Sequence, residues 1–300
     1  MKAANAKLAV VLMLSVAAAS AAADTTTTAT TTTTTTATAT RKKSHKPAAK
    51  VAAPAKLDAA KATVDDIRAC MKKNWVAKGS LRDIVVTATD RDGQAHNLKM
   101  RLFWKPDKAT GSARMNLRVV EPKELADSSY LLLDKPAGEE VYFYLPAAGN
   151  VQRITGSNMS QPLWGTDFSY SEIKQVQGLL ENGATERKAD DNVGGRPAYV
   201  LETATNADTG YFKVVSHVDQ QGCVLVKSEF FVKPGDAERK VLEADTSTLI
   251  NADTYWYALA YTMTDKKLGT KTRLDMSNLN LFEGSREKLF DPAAFYQDAE

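Results

Sequence analysis

The sequence predicts a mainly β protein: a long, curved antiparallel sheet or a barrel, with few helices. Three observations carry this. Alternation of apolar and polar residues with period two recurs in about ten short segments between residues 84 and 281. Gly, Asp and Pro separate these segments at short spacing, as turns between sequential antiparallel strands require. The helical stretches that parallel βαβ crossovers would need are missing from between them.

The chain of 300 residues does not begin with this domain. Lys2 and Lys7 precede a short apolar run, Leu8 to Ala19, and Ala21-Ala22-Ala23 fits a small-residue cleavage site. That is the pattern of a secretory signal peptide over residues 1–23, with release as a soluble exported protein. An uncleaved anchor is the alternative; the run is too short and alanine-rich to favour a membrane span. Residues 25–40 are thirteen threonines and three alanines, and residues 41–61 are mostly Lys, Arg, Ala and Pro. Such composition buries too little to offset the entropy of ordering, so 24–61 is expected to be a disordered linker. This linker carries seven basic and two acidic side chains, while residues 62–300 carry 30 basic and 34 acidic. The basic balance therefore belongs to the leader and linker. A folded domain of net charge −4 does not suit nucleic acid, which wants a basic folded surface.

The folded domain, 62–300, opens with a helix. Thr63 and Asp66 resemble a capping box, and Val64, Ile67, Met71 and Trp75 share one face. Gly79 marks its exit. Two strands follow, joined at Asp92-Gly93. In the second, Leu98, Met100, Leu102 and Trp104 take one face; Lys99, Arg101 and Lys105 take the other, with Phe103 out of pattern. The next strand alternates Ala113, Met115, Leu117 and Val119 against Arg114, Asn116 and Arg118. Further strands are expected at 128–134, 139–145, 197–204, 211–219, 223–232, 238–246, 254–263 and 271–281. Helices are few beyond the first: a short one at 169–177, capped by Ser169 with Glu172 at the third position, and a stub at 285–290. A sheet of this length must cover its apolar face by curling or with helices, and a curled sheet lidded by few helices has a concave apolar interior.

Catalytic patterns do not emerge. His45 lies in the linker, His96 follows a hairpin turn, and His217 alternates onto the polar side of its strand. Zinc-ligand spacings, a nucleophile elbow and a phosphate-cradling glycine loop are all missing from the sequence. Asp65-Asp66 and Asp190-Asp191 sit at helix-start and turn positions. No enzyme activity, metal or cofactor is expected. Cys70 and Cys223 in an exported protein are most simply a disulfide, with two buried thiols as the alternative. A bond closing so long a loop stabilises by about 2–5 kcal/mol.

One stretch remains, "YLPAAGNVQRITGSNMSQPLWGTDFSYSEI" at 144–173. It resembles the segment marking one branch of the LolA-like family of outer-membrane lipoprotein-sorting proteins: a strand ending Tyr144-Leu145-Pro146, then Arg153-Ile154 and Gly156, then Gly165, Thr166, Asp167, Phe168 and Tyr170. The resemblance extends to element order over most of residues 64–296. It implies a half-open β-barrel whose apolar cavity is capped by helices. It also implies roles: Arg153 and Asp167 paired or holding backbone groups at the mouth, Trp164 and Phe168 plugging it. A tight turn at 165–167 and a core position for Trp164 are the plainer alternative. The long Thr-rich extension departs from the carriers of the family.

Two functions follow. The first is a periplasmic carrier of lipid or acylated lipoprotein, a monomer without cofactor. Its cavity would be lined by Met100, Leu102, Trp104, Met115, Leu117, Leu132, Phe230 and Val232, and an inner-membrane lipid exporter or outer-membrane acceptor would be its docking partner. The second is an envelope regulatory or adaptor protein that uses the same fold to bind a protein. An open apolar cavity favours the first, and an interior filled by its own side chains the second.

Overall fold

The computed structural model describes residues 57–297, apart from 253, 283 and 285. The expected signal peptide and nearly all of the expected linker lie outside the described residues.

The first helix, α1 (Val64–Lys72), starts at Thr63 with both halves of the capping box formed: the Asp66 N–H donates to Thr63 Oγ1 at 3.2 Å, and the Thr63 N–H donates to Asp66 Oδ2 at 2.9 Å. Its Ile67 and Met71 are buried. The helix ends a turn earlier than the apolar stripe suggests, so Trp75 sits in the following turn.

The strands are β1 (Gly79–Thr89), β2 (Ala95–Trp104), β3 (Arg114–Glu121), β4 (Ser129–Lys135), β5 (Gly138–Leu145), β6 (Asn150–Ile154), β7 (Thr185–Val193), β8 (Arg196–Ala204), β9 (Lys213–Asp219), β10 (Leu225–Phe231), β11 (Lys240–Ala244), β12 (Leu249–Ala252), β13 (Tyr255–Ala258), β14 (Ala260–Asp265), β15 (Thr270–Met276) and β16 (Asn280–Phe282). One antiparallel sheet runs β6-β5-β4-β3-β2-β1-β15-β14-β11-β10-β9-β8-β7, with β16 paired to the start of β1. Two meanders, β1–β6 and β7–β11 with β14–β15, join where β1 pairs β15, Val86 facing Leu274. The sheet does not close: β6 and β7 remain edges. It curls nonetheless, because residues as far apart across it as Val141 on β5 and Leu201 on β8 belong to one buried apolar cluster.

Registry places the alternation as the sequence suggests. Leu102 faces Leu117, Trp104 faces Met115, and Met115 faces Leu132 across neighbouring strands. The opposite, convex face carries an apolar patch that runs from Leu81 on β1 to Val151 on β6. There a C-terminal strap, residues 286–297 with a 3₁₀ turn at Glu287–Phe290, covers Phe103, Leu131 and Leu133 with Leu289, Phe290 and Phe295. Phe103, out of pattern in the sequence, is thus a second-face core residue.

Several expected elements differ. The segment 254–263 is two strands, β13 in a small hairpin with β12 and β14 in the main sheet. The segment 271–281 likewise divides into β15 and β16. The strand expected from 223 begins at Leu225, since Cys223 has φ +52° and belongs to the preceding turn. Strands β6 and β7 escaped the pattern search. β7, "TERKADDNV", is nearly all polar, as suits an edge strand that must resist pairing with other chains. Asp190-Asp191 lies in β7 at a register shift rather than in a turn, and the Gln220 side-chain amide donates to Asp190 at 2.7 Å. The helix expected from Ser169 is only a 3₁₀ turn at Ile173–Gln177, where Glu172 takes the capping position.

Candidate functional site

The concave face and the segment that covers it, residues 155–182, form the candidate site. Between its two 3₁₀ turns (Gly156–Ser160 and Ile173–Gln177) this lid folds back on itself. Pro162 bridges Ser169, and the Leu163 N–H donates to Phe168 O at 2.7 Å. The reversal is a type I′ turn at Leu163-Trp164-Gly165-Thr166: the Thr166 N–H donates to Leu163 O at 3.1 Å, and both central residues have positive φ, +50° and +72°. Gly165 adopts this freely. Trp164 does not, and a bulky residue held there stores strain of about 1–3 kcal/mol.

The lid presents Leu163, Phe168, Ile173, Val176 and Leu179 downward, all buried in one cluster with the strand residues. Among the expected lining residues, Met100, Leu102, Trp104, Met115, Leu117, Leu132 and Phe230 are at most 3% exposed and meet within it. Val232 does not join them: it follows the end of β10 and is 40% exposed beside Tyr211 and Arg239, because the strand stops before alternation can turn it inward. The interior is therefore filled by the protein's own side chains. The spaces left between α1, the lid and the sheet are about 50 Å³ beside Trp104 and about 140 Å³ beside Glu139, against roughly 300–1,000 Å³ for a typical small-molecule pocket.

Polar residues of the motif tie the lid down. The Asp167 carboxylate accepts from the hydroxyls of Thr270 and Thr272 on β15, the latter at 2.7 Å, and its N–H donates to Thr272 at 2.9 Å. Lys240 on β11 donates to Asp167 O at 2.7 Å and to the Glu172 carboxylate at 3.0 Å. Glu172 is fully buried and also accepts from Tyr211 and from the Ser169 N–H. Burial, reinforced by that carboxylate, pushes the Tyr211 phenol far above its ordinary range. Thr166 braces the turn by donating to Leu163 O at 2.8 Å. The Tyr130 hydroxyl, under the lid, donates to Tyr170 O at 3.0 Å. Beyond the turn, buried Lys174 reaches Glu139 at 2.7 Å and Glu181 at 3.3 Å. Burial pushes Glu181 up, and Lys174 offsets this only in part.

Arg153 and Asp167 do not pair. Arg153 lies on edge strand β6, 3.4 Å from Glu140, while Asp167 is engaged with β15. Gly156 opens the lid's first 3₁₀ turn with φ +58°. Trp164 is half-buried, its ring 5.8 Å from that of Phe143, and Phe168 is wholly buried. On either side of the I′ turn lie open grooves of about 450 and 300 Å³. The first runs past His96 and Thr270, the second past Tyr211 and Lys240. Exposed Leu268 borders both.

Pattern reasoning missed the anchors of the lid. Lys240 and Tyr211 come from separate segments with no local signal, and Glu172, expected only as a capping residue, is the acceptor they share. His217, placed on a polar face by alternation, lies there but is buried, between Asp191 of β7 at 3.3 Å and Glu229 of the neighbouring β10 at 3.1 Å. Its hydrogen bond is the main cause holding the Glu229 carboxyl down at about 2. Cys70 and Cys223 are joined, S–S 2.04 Å, stapling α1 to the turn before β10. Beside that staple, Gly222 is required by close approach: a Cβ there would lie 2.8 Å from the Trp256 ring. Among the described residues no helix is long and apolar enough to cross a membrane.

A family model described as one of uncharacterized proteins matches residues 111–297, more than half of the chain, and the chain belongs to that family. Solved structures share the fold. A DUF1329 family protein from Desulfovibrio piger is 20% identical with TM-score 0.67, over 76% of this chain and 96% of its own. An outer membrane lipoprotein-sorting protein domain from Vibrio parahaemolyticus is 22% identical with TM-score 0.67, over 78% and 98%. A LolA superfamily protein from Nitrosomonas europaea is 17% identical with TM-score 0.56, over 77% and 98%. No curated protein matches the sequence. The chain thus shares the fold of these proteins, one long antiparallel sheet that does not close.

Proposed function

We propose that this is an exported binding protein, without catalytic activity, that takes up the acyl chain of a lipid or lipoprotein by exchanging it for its own lid. The carrying observation is the lid itself. Five apolar side chains fill the concave face from a segment with little regular structure, hinged at a strained turn and held by side-chain hydrogen bonds. Backbone pairing does not lock it, so it opens at a lower cost than a strand would. An acyl chain replacing it recovers about 0.8 kcal/mol per buried CH₂. The similarity to lipoprotein-sorting folds supports the same reading, as do the leader-like residues 1–23, which suit a periplasmic protein. The Thr-rich segment 24–61 then acts as a tether between export and the folded domain.

The filled interior favours a second reading, an adaptor that binds a protein partner such as a lipid exporter through the grooves beside the I′ turn. A fluorescent fatty-acid titration with hydrogen exchange separates the two. The carrier reading expects saturable binding and faster exchange at amides of residues 155–182 once the probe is bound. A protein that leaves the probe free, or binds it with the lid amides unchanged, overturns it.

A further inference from the structure

At the end of the domain marked by the disulfide, the small cavity behind α1 has a peculiar wall. Arg82 on β1 is 3% exposed and faces it. Its guanidinium donates to Ser277 O at 3.0 Å and Ala258 O at 2.9 Å and lies 4.8 Å from the Tyr257 ring. Among the described residues, no Asp or Glu lines this cavity. A buried cation without a counter-ion is costly, and burial pushes the Arg82 guanidinium down to about 10.

The remaining wall repeats the same sign. Trp75 Nε1, Trp104 Nε1 and Gln177 Nε2 all belong to residues lining this cavity, and each is a buried donor with no protein acceptor. Trp104 is itself 3% exposed, its ring 5.3 Å from that of Trp75. Other polar groups nearby are already engaged. The Asn74 amide donates to Gly222 O and Cys223 O and accepts from the Trp256 N–H, and the Tyr261 hydroxyl donates to Leu225 O. What is left over is a positive charge and three N–H groups around about 50 Å³. The rim, through Trp256, Tyr257 and Leu279, is apolar and half-exposed.

We propose that this cavity is a carboxylate subsite: it receives the head group of a fatty acid, with Arg82 as counter-ion and the two indole N–H groups and Gln177 as donors, while the acyl chain leaves across the aromatic rim. A carboxylate brings the lone pairs and the charge that this wall lacks, in a volume the cavity provides. The proposal rests on the acyl-binding reading above; most of its wall comes from α1 and the sheet, and from the lid it draws its donor Gln177.

The test uses the disulfide-bonded mature protein and three probes below their aggregation limits: decanoate, 1-decanol and inorganic phosphate. Tryptophan fluorescence reports on Trp75, Trp104 and Trp256 at the cavity and, with Trp164→Phe as the background, is kept free of the lid, while thermal melting reports on binding from any site. Decanoate is expected to bind saturably, shift the emission and raise Tm, with decanol weaker by about tenfold or more and phosphate without effect. Arg82→Met should weaken decanoate by about tenfold while leaving decanol unchanged, and Trp104→Phe, which keeps the ring and removes one donor, by a few-fold. Should Arg82→Met fail to fold, the wild-type ratio of decanoate to decanol and the Trp104→Phe variant decide. Equal binding of decanol and decanoate removes the carboxylate subsite and leaves acyl binding intact. Phosphate alone shifting the emission overturns the carboxylate class. Failure of every probe, decanol included, removes both readings, and a water-filled cavity then accounts for the orphan donors.

Discussion

Two irregular segments cover the sheet, and they are held in different ways. The lid, residues 155–182, lies on the concave face; the strap, residues 286–297, lies on the convex face. Both bury aromatic and aliphatic side chains against strands, so burial alone does not distinguish them. Their fastenings do. The strap is gripped through its backbone: wholly buried Asn116 donates from its amide to Leu289 O at 2.7 Å and Phe295 O at 2.8 Å, and Arg118 donates to Phe295 O and Gln297 O. Tyr296 stacks on Tyr144 at 3.9 Å. The lid is gripped largely through carboxylates and hydroxyls around Asp167 and Glu172, next to a strained Trp164. Side-chain fastenings of that kind can be exchanged for water as the lid lifts, whereas freeing the strap strands a buried amide and buried carbonyls. The contrast marks the concave cover as the movable one.

The strongest test of that contrast is Phe295→Ala. Phe295 is wholly buried in the convex cluster, and truncation should cost about 3–5 kcal/mol in urea denaturation. Affinity for an acyl probe should be unchanged, provided the melt confirms a folded protein; a large loss of affinity would mean that the two covers are coupled.

A smaller effect is expected of Asp167→Ala, which removes the acceptor of Thr270 and Thr272. The expected loss is about 2–3 kcal/mol, with exchange accelerated in the lid and unaltered in the strap. Equal acceleration in both segments would erase the distinction.

The smallest effect concerns pH. Burial alone would raise the Glu287 carboxyl of the strap, but hydrogen bonds from Arg114 and Lys105 outweigh it and hold it below its ordinary 4.5. Its folded value is depressed, so its contribution is present above pH 4.5 and lost as pH falls through the folded value. Glu181 in the lid is raised, so its contribution is full below 4.5 and lost as pH rises through its folded value. Acidification through this range should therefore loosen the strap's amides before the lid's. Because Glu287 is half exposed, the shift will be modest. Hydrogen exchange at a series of pH values reads it, and lid amides loosening first would contradict the assignment.

What the sequence determined by itself was whatever local periodicity encodes. Alternation marked the inward faces of β2 and β3, and the capping box marked the start of α1 at Thr63. The stretch at 144–173 resembled a LolA-like segment, and its Leu163-Trp164-Gly165-Thr166 folds as the I′ turn of the lid. Other features needed the third dimension. An all-polar edge strand has no alternation to read, so β7 was invisible until it was seen paired with β8. Phe103, Leu131 and Leu133 look like errors of pattern unless a strap from the far end of the chain is laid over them. Arg153 and Asp167 carry opposite charges in one motif, yet the sheet holds Arg153 on an edge strand and hands Asp167 to two threonines of β15, about a hundred residues on. A charge close along the chain is no guide to its partner, because a curled antiparallel sheet brings together segments that the sequence keeps apart, and only their packing decides which donor meets which carboxylate.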